Sequence, residues 1–596
     1  MTLNYKMWIV FGFISIAFHI YLIFSGLVPN LISRPLHFAL ILPWIFLYNN
    51  ETKFQFLINV SIVITGITSC LYIAIFSNQL MDQYGFLENK FQLIVSLILI
   101  LIVLDAARRS VGWPLPIVSF LALLYGVFGE HIPGEFGHPG LPLNSFLGTL
   151  TIAEGGLWGP LTGVSVSIVS IFVIFGSFLN SGEAGSGFMN IATAFAGKLK
   201  GGAAKVSIIS SALFGSISGS ASANVASTGM VTLPAMIKLN YPKRLAASVE
   251  AVASSGGQIM PPLMGAGAFV MVELTGVPYD KIIIAALLPA ILFFFAVWVG
   301  INFYCKIYNL KPMKKDNLPD IRTVIITSLF FLIPFSILLS LMFSGFTPQY
   351  SASISILAAF ILLFFNIKNI FNFQLGASRF FEACVASGRQ ISLIGSIIIC
   401  ASIIIGVLSM TGLGVKLTSL IISLSDNNIW PALILTGIAC LLLGMEVPTT
   451  AAYVICVSVA GPALVDMGLE LLQVHLFVFW FALLSTITPP VCGTVFIASG
   501  MVSENWLKVS LTSMSLGIGL YFIPLAMIAN EAIIKIDTDF ISSIVAFVKF
   551  ALCLVMLSYA FISNNFIIFK IMEFSLGMFV MFFINHFGDK CHHLPI

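Results

Sequence analysis

Residues 254–262 read Ser254-Ser255-Gly256-Gly257-Gln258-Ile259-Met260-Pro261-Pro262, and residues 484–490 read Leu484-Ser485-Thr486-Ile487-Thr488-Pro489-Pro490. Each stretch lies inside an apolar run of membrane-spanning character. Each is followed by a Gly-containing apolar stretch, Gly265-Ala266-Gly267 in one and Gly493-Thr494 in the other. Proline has no amide hydrogen, and its ring blocks the carbonyl four residues back, so two adjacent prolines unwind a helix. Unwound backbone in lipid is prohibitive and survives only where protein lines a cavity around it. The freed carbonyls, with Ser and Thr hydroxyls beside them, make a hard oxygen donor set suited to a small cation. Half-helix N-termini facing the gap favour an anionic carboxylate. One Pro kink is common in membrane helices and needs no ligand; two breaks in mirrored contexts point to a site.

Composition gives these breaks their setting. Of the 596 residues, 59% are apolar and 9% charged, against about 25% charged in a soluble domain. Lipid must therefore cover most of the surface. Apolar runs long enough to span a bilayer recur along the whole chain, roughly sixteen to eighteen of them when re-entrant segments are included. The longest polar stretch, Lys306 to Arg322, has only loop length. The first run, Met7–Leu27, lacks a small-residue cleavage site and reads as a retained helix rather than a signal peptide. The net charge of +3, from 27 basic and 24 acidic residues, gives no footprint for nucleic acid. The nine cysteines are scattered, mostly inside apolar runs, in neither a disulfide framework nor a zinc spacing. They read as small core hydrophobes. The terminal Cys591-His592-His593 is too short for a metal site. The expectation is an all-α polytopic protein of a bacterial inner membrane.

Charge at the loop ends sets the topology, because short Lys- and Arg-rich loops stay cytoplasmic. Arg108 and Arg109 follow four apolar runs, Met7–Leu27, Leu36–Leu47, Phe56–Phe76 and Phe91–Leu104, which places the N-terminus and Arg108 inside. Two later segments break simple alternation. Lys198, Lys200 and Lys205 precede Val206–Met236, and Lys238, Lys243 and Arg244 follow it, so both ends read as cytoplasmic. Ile429–Val465 has Asp426, Asn427 and Asn428 before it and Asp466 and Glu470 after it, so both ends read as external. A single crossing cannot do this, whereas re-entrant hairpins entering from opposite sides can, as inverted repeats require.

The hairpin tips carry polar chemistry. The first runs Gly215-Ser216-Ile217-Ser218-Gly219-Ser220-Ala221-Ser222-Ala223-Asn224-Val225-Ala226-Ser227-Thr228-Gly229, small and polar where a membrane core is ordinarily Leu and Ile. Close helix packing through small residues is one reading, but Asn224 and the serine cluster exceed what packing needs. The second tip, Gly444-Met445-Glu446-Val447-Pro448-Thr449-Thr450-Ala451-Ala452-Tyr453, holds an intramembrane carboxylate. Placing a charge there costs on the order of 2.5–3.5 kcal/mol on insertion scales. Glu446 therefore faces a cavity, binds a cation, relays a proton, or pairs with a scaffold Arg or Lys.

At these residues the chain resembles the large membrane subunit of TRAP (tripartite ATP-independent periplasmic) transporters. The nearer resemblance is to their TAXI branch, in which small and large membrane subunits are fused. The matching strings are Gly201-Gly202-Ala203-Ala204-Lys205, the Ser218–Asn224 tip, Glu250-Ala251-Val252-Ala253-Ser254, Gly257-Gln258-Ile259-Met260-Pro261-Pro262, Pro448-Thr449-Thr450-Ala451-Ala452-Tyr453 and Thr488-Pro489-Pro490. Arg109 with Gly112-Trp113-Pro114-Leu115-Pro116 resembles the junction after the small subunit. The resemblance covers roughly residues 1–530. At position 446 it implies a Gly or another small residue, and the chain has Glu.

The resemblance implies an elevator-type transporter with inverted repeats, two re-entrant hairpins and broken helices. Residues 1–110 would be a small-subunit-like scaffold and 111–540 the transport region, with repeats near 160–305 and 390–530; 541–596 would add further transmembrane helices. A periplasmic TAXI-type binding protein would deliver a small carboxylate, with Na+ or H+ as coupling ion and no cofactor. Ser218, Gly219, Ser220 and Asn224 with Gly257 and Pro261 would hold one cation. Glu446, Thr449 and Thr450 with Thr486, Thr488 and Pro489 would hold the second. Substrate would sit between the tips, at Ser222, Gln258, Pro262, Pro448 and Pro490.

Other function classes fit less well. A channel would show a polar stripe along several helices, and a passive scaffold subunit would need no such tips; here polarity concentrates at two tips and two breaks. Gly215-Ser216-Ile217-Ser218-Gly219 superficially matches a serine-protease loop, but His475 lies near a span end and supplies no partner. An ATPase would need a Gly-x-x-x-x-Gly-Lys-Ser/Thr loop, which the chain lacks.

Overall fold

The computed structural model describes residues 3–48, 53–313, 318–367, 370–444, 449–490, 492–563 and 566–583. The chain is 81% helical, with no strands among the described residues. Helices dominate because each one satisfies its own backbone polar groups, which lipid cannot do. Twelve of those described are long and apolar enough to cross a membrane, and shorter apolar helices of 10–17 residues accompany them.

In chain order the helices begin with α1 (Leu3–Phe24), α2 (Asn30–Leu47), α3 (Lys53–Ile75), α4 (Lys90–Val111), α5 (Pro114–Phe128) and α6 (Pro160–Ser181). Then come α7 (Ala184–Ala196), α8 (Gly202–Ser218), α9 (Ala221–Lys238), α10 (Lys243–Gly256), α11 (Gly265–Thr275) and α12 (Tyr279–Tyr308). A connection leads to α13 (Ile321–Phe343), α14 (Pro348–Leu363), the long α15 (Phe373–Thr411), α16 (Leu413–Leu424), α17 (Ile429–Leu443) and α18 (Thr449–Asp466). The chain continues through α19 (Leu471–Leu484), α20 (Gly493–Val502), α21 (Trp506–Ala529), α22 (Phe540–Ile562) and α23 (Ile567–Phe583).

Element lengths repeat. The series α7 to α11 runs 13, 17, 18, 14 and 11 residues, and α16 to α20 runs 12, 15, 18, 14 and 10. The first predicted hairpin folds as α8 and α9, which pack on each other through a turn at Gly219-Ser220. The tip of the second, with Glu446 and Pro448, lies outside the described residues, as does Cys591-His592-His593.

The chain forms two compact units. The first comprises Met1–Glu183, Phe330–Leu435 and Glu446–Met467. Its spine is α15, capped by the Asn372 side chain, which accepts from Leu375 N at 3.0 Å, and ended by Gly412 at φ +65°. Helices α1, α2, α4, α5 and α6 pack along it. Small residues permit the approach: a methyl on Gly406 would lie 2.6 Å from Gly155 O, and one on Gly395 3.0 Å from His37 Nε2. Several of its inward-facing polar groups are paired. His19 and His37 meet ring to ring at 2.8 Å, and His37 Nε2 lies 3.0 Å from Ser165 Oγ in the π-turn of α6. Arg109 binds Asp105 and Asn59, each at 2.9 Å, with its guanidinium over the Phe46 ring. Arg379 pairs with Glu183, their side chains only 13% and 12% exposed, and also donates to Phe365 O at 2.7 Å.

The second unit comprises Ala184–Leu329, Thr436–Met445 and Gly468–Ile596. Its centre is α10, buried from Leu245 to Gly256. Helices α8, α9, α12, α20 and α21 surround it. Polar contacts tie the C-terminal segment to this unit: Lys281 to Asp537 at 2.6 Å, and Ser543 Oγ to Ala532 O at 2.5 Å.

Breaking one side of a buried ion pair leaves the other charge stranded, which costs about 3–5 kcal/mol. Arg379→Met is therefore expected to lower the unfolding midpoint of the detergent-purified chain. The double variant Arg379→Met/Glu183→Gln should recover much of that loss. Equal midpoints for wild type and Arg379→Met would refute the role given to this pair.

Candidate transport site

The first break starts where α10 stops. Gly257–Ile259 form one 3-10 turn, Met260 is extended, and the Pro261–Pro262 bond is cis. Met264, in the left-handed region at φ +52°, then starts α11. The break is laced to the hairpin. Gln258 Nε2 donates to Gly219 O at 2.8 Å. Asn224, without exposed surface, donates from Nδ2 to Ser211 O at 2.9 Å and to Ser254 O at 3.4 Å. Glycines bring the two backbones together: a methyl on Gly219 would lie 2.7 Å from Gly265 Cα, and one on Gly257 2.7 Å from Gly215 Cα. Gly219 also needs its freedom, because it closes α8 at φ +61°. Ser220 caps α9, accepting from Ala223 N at 3.3 Å, and Ser222 is exposed. The Ser218 side chain is outside the described set.

The second break follows the same plan. Helix α19 stops at Leu484, the Pro489–Pro490 bond is cis, and α20 starts at Gly493. Thr488 Oγ1 donates to Leu484 O at 2.6 Å and lies 2.7 Å from the Tyr521 hydroxyl. Neighbouring hydroxyls capture carbonyls at both breaks. Tyr279 donates to Pro262 O at 2.5 Å with Leu263 O at 3.0 Å, while Ser510 donates to Ile487 O and Thr494 to Thr486 O, at 2.7 and 2.6 Å.

The two breaks meet inside the second unit. Thr486 Oγ1 lies 2.8 Å from Ser255 Oγ, and Ser255 Oγ lies 3.3 Å from Thr494 Oγ1. Ser255 and Thr494 stand in the two motif strings, where neighbouring residues alone point to no role for them. The structure thus gathers Gly219, Ser220, Ser222, Asn224, Gly257, Gln258, Pro261 and Pro262, with Thr486, Thr488, Pro489 and Pro490, in one unit. Thr449 and Thr450 open α18, which belongs to the other unit.

A further residue escaped assignment altogether. Glu250 sits two turns before the first break, with no exposed surface. Ser207 donates to its Oε2 at 2.7 Å, Thr232 donates to the same oxygen, and Thr228 donates to Oε1, with Ser254 Oγ at 3.4 Å. The signal was available: Glu250 is a lone acid in a run of small and apolar residues.

The glycine contacts generate a direct test. In Gly257→Ala the new methyl meets Ser211 O at 2.6 Å and Gly215 Cα at 2.7 Å, both backbone atoms. Overpacking of this kind costs roughly 1–3 kcal/mol, read as a lowered unfolding midpoint. Gly500→Ala, which meets nothing within 4 Å, should leave the midpoint unchanged or raised. Equal behaviour of the two variants would refute the close approach of tip and break.

Known proteins resemble this chain in sequence. The family model described as tripartite ATP-independent periplasmic transporter, DctM component, matches residues 98–540. The C4-dicarboxylate TRAP transporter large permease protein DctM of Pseudomonas aeruginosa is 24% identical over 335 residues, covering 56% of this chain and 76% of its own length. The sialic acid TRAP transporter large permease protein SiaM of Vibrio cholerae is 22% identical over 351 residues, covering 59% and 80%. The isethionate TRAP transporter permease protein DctMQ of Oleidesulfovibrio alaskensis is 23% identical over 397 residues, 66% of this chain and 61% of that protein. These relatives are permeases, not enzymes. With its twelve candidate spans, the chain is a multi-pass inner-membrane permease, and it belongs to the DctM component family of the tripartite ATP-independent periplasmic transporters.

Proposed function

We propose that this permease imports a small carboxylate handed over by a periplasmic substrate-binding protein, with a sodium or proton gradient as the driving force. The observation that carries the reading is the meeting of two Pro-Pro breaks, joined through Ser255, Thr486 and Thr494. Both α11 and α20 begin at these breaks, so two helix N-termini offer unpaired amides and positive dipole ends there. An anion is the natural guest. Relatives are named for C4-dicarboxylate, sialic acid and 2,3-diketo-L-gulonate, all organic acids.

The finer features belong to the same proposal. Three candidate spans and the start of α4 precede residue 98, where the family match begins. This supports a fused small-subunit-like region at 1–110, a large-subunit-like region at 111–540 and added helices beyond, as in the TAXI branch, with a TAXI-type receptor. Charge at the loop ends favours a cytoplasmic N-terminus. In the elevator reading, the two hairpins and two broken helices move as the carrier. Coupling-ion ligands are assigned to the first tip with its break, and to Glu446, Thr449, Thr450 and the Thr486–Pro489 break. Substrate selection rests largely with the receptor.

Proteoliposome uptake with a purified periplasmic binding protein from the same organism tests the reading. Uptake should require the receptor and an imposed sodium or proton gradient. Uptake that persists with both gradients abolished and scales with ATP would overturn it, and single-channel conductance would favour a channel instead. Glu446→Gln should slow uptake and flatten its pH profile where protons couple through that tip. An unchanged rate and profile would give Glu446 a structural role.

A further inference from the structure

The hydroxyl cage around Glu250 is built of neutral side chains. Among the described residues, no Lys, Arg or His is ion-paired or hydrogen-bonded to this carboxyl. The charged and titratable groups on the packed elements are engaged elsewhere. Lys205 of α8 reaches over the Trp298 ring at 4.7 Å. Lys238 of α9, Lys243 of α10 itself and Lys508 of α21 are exposed, and Arg244 donates to the Tyr308 hydroxyl at 3.1 Å. On α12, Lys281 is held by Asp537 beside Asp280, while Tyr304, Cys305, Lys306 and Tyr308 lie at the opposite end of the helix. Cys492 precedes α20, which carries no ionisable group. A permanent charge in such a place is costly without a partner cation.

The cage suits two protonation states equally. Each hydroxyl has one hydrogen and two lone pairs. With Glu250 ionised, Ser207, Thr228 and Thr232 all donate to it. With Glu250 neutral, Thr228 can turn to Asn224 O at 2.8 Å and Thr232 to Thr228 O at 3.0 Å. The carboxyl hydrogen then donates to a hydroxyl oxygen thereby released. Neither state leaves a buried polar group unsatisfied, the condition that ordinarily forbids a buried carboxyl from titrating.

There is also a route. A cavity of about 350 Å³ is lined by Asn190 and Thr193 of α7, Val206 of α8, and Val231 and Thr232 of α9. Thr232 therefore forms cavity wall and also holds Glu250.

We propose that Glu250 is a proton-binding site of the permease, loaded and emptied through the Thr232 hydroxyl from the cavity beside α7, α8 and α9. In the loading step a hydronium ion in the cavity gives a proton to Thr232 Oγ1. The original Thr232 O–H bond breaks as an O–H bond forms on Glu250 Oε2. Water and a neutral carboxylic acid result, and the charge on Glu250 disappears. Unloading is the reverse. This deepens the gradient-driven reading above and rests on it, by making the proton one of the coupling ions.

The test needs no substrate. The full chain, purified into lipid nanodiscs, is followed by infrared difference spectroscopy against pH. A carbonyl stretch of a protonated carboxylic acid should rise and fall with pH and shift on carbon-13 labelling of glutamate. It should be absent in Glu250→Gln. If that variant fails to fold, Glu250→Asp decides, because its carboxyl band loses the carbon-13 glutamate shift while any band from Glu446 or Glu183 keeps it. Thr232→Val should keep the band, move its frequency, and slow its response to a pH jump at least tenfold; Thr232→Ser should restore the rate. No titrating glutamate band, or an unchanged rate in Thr232→Val, overturns the proposal. Receptor-dependent uptake in a chain whose Glu250 does not titrate sinks only this inference. A titrating Glu250 in a chain without uptake sinks only the transport reading.

Discussion

Every backbone amide and carbonyl inside lipid needs a partner within the protein. The rest of this molecule depends on how that demand is met at its two Pro-Pro breaks. A continuous helix meets it automatically; α10–α11 and α19–α20 give up that guarantee over several residues each. The replacements are neutral hydroxyls and amides, some from neighbouring helices and some from the broken segments themselves: Tyr279 and Ser510 on break carbonyls, Gln258 on the hairpin turn, Thr494 on Thr486 O. No charge is spent on the repair. One of these groups, Thr494, also lies where the two breaks meet.

Much of this was legible in the sequence because it is local. Apolar runs set the spans, Lys198 to Arg244 bracketed the first hairpin, and the prolines announced the breaks. The short helices were harder to count, because arms such as α8 and half-helices such as α11 and α20 fall below a full bilayer crossing. The first tip was read as too polar for packing alone. In the structure its glycines do pack backbone on backbone, and the Asn224 amide is tied to two carbonyls. Both descriptions hold, since the close approach is what brings the polar groups to the break.

Glu250 shows where local reading stops. Its string was noticed as a family resemblance, yet its meaning lies in partners 18, 22 and 43 residues away on two other helices. Periodicity within α10 says only that this face is buried. Whether the carboxyl there is a stranded charge or a well-solvated one depends on Ser207, Thr228 and Thr232 converging, and convergence is a property of packing. Ser255 and Thr494 are the same case at the breaks.

The length of α15 sets a relation to lipid. At 39 residues it is about 58 Å long, nearly twice the roughly 30 Å of hydrocarbon in a typical bilayer. Tilts of 0–40° cannot absorb that difference. Charge divides the helix: Arg379, Glu382 and Arg389 lie in its first half, and from Ile391 to Thr411 it is free of charge. That second part rises about 32 Å, a single crossing. The first half is sheathed by protein: Phe13 of α1 and Phe178 of α6 both pack on the Phe380 ring, and Arg389 lies over the Tyr48 ring. A helix longer than a bilayer can thus keep its charged half among protein neighbours, Arg379 on Glu183 and Arg389 on Tyr48, instead of exposing it to lipid.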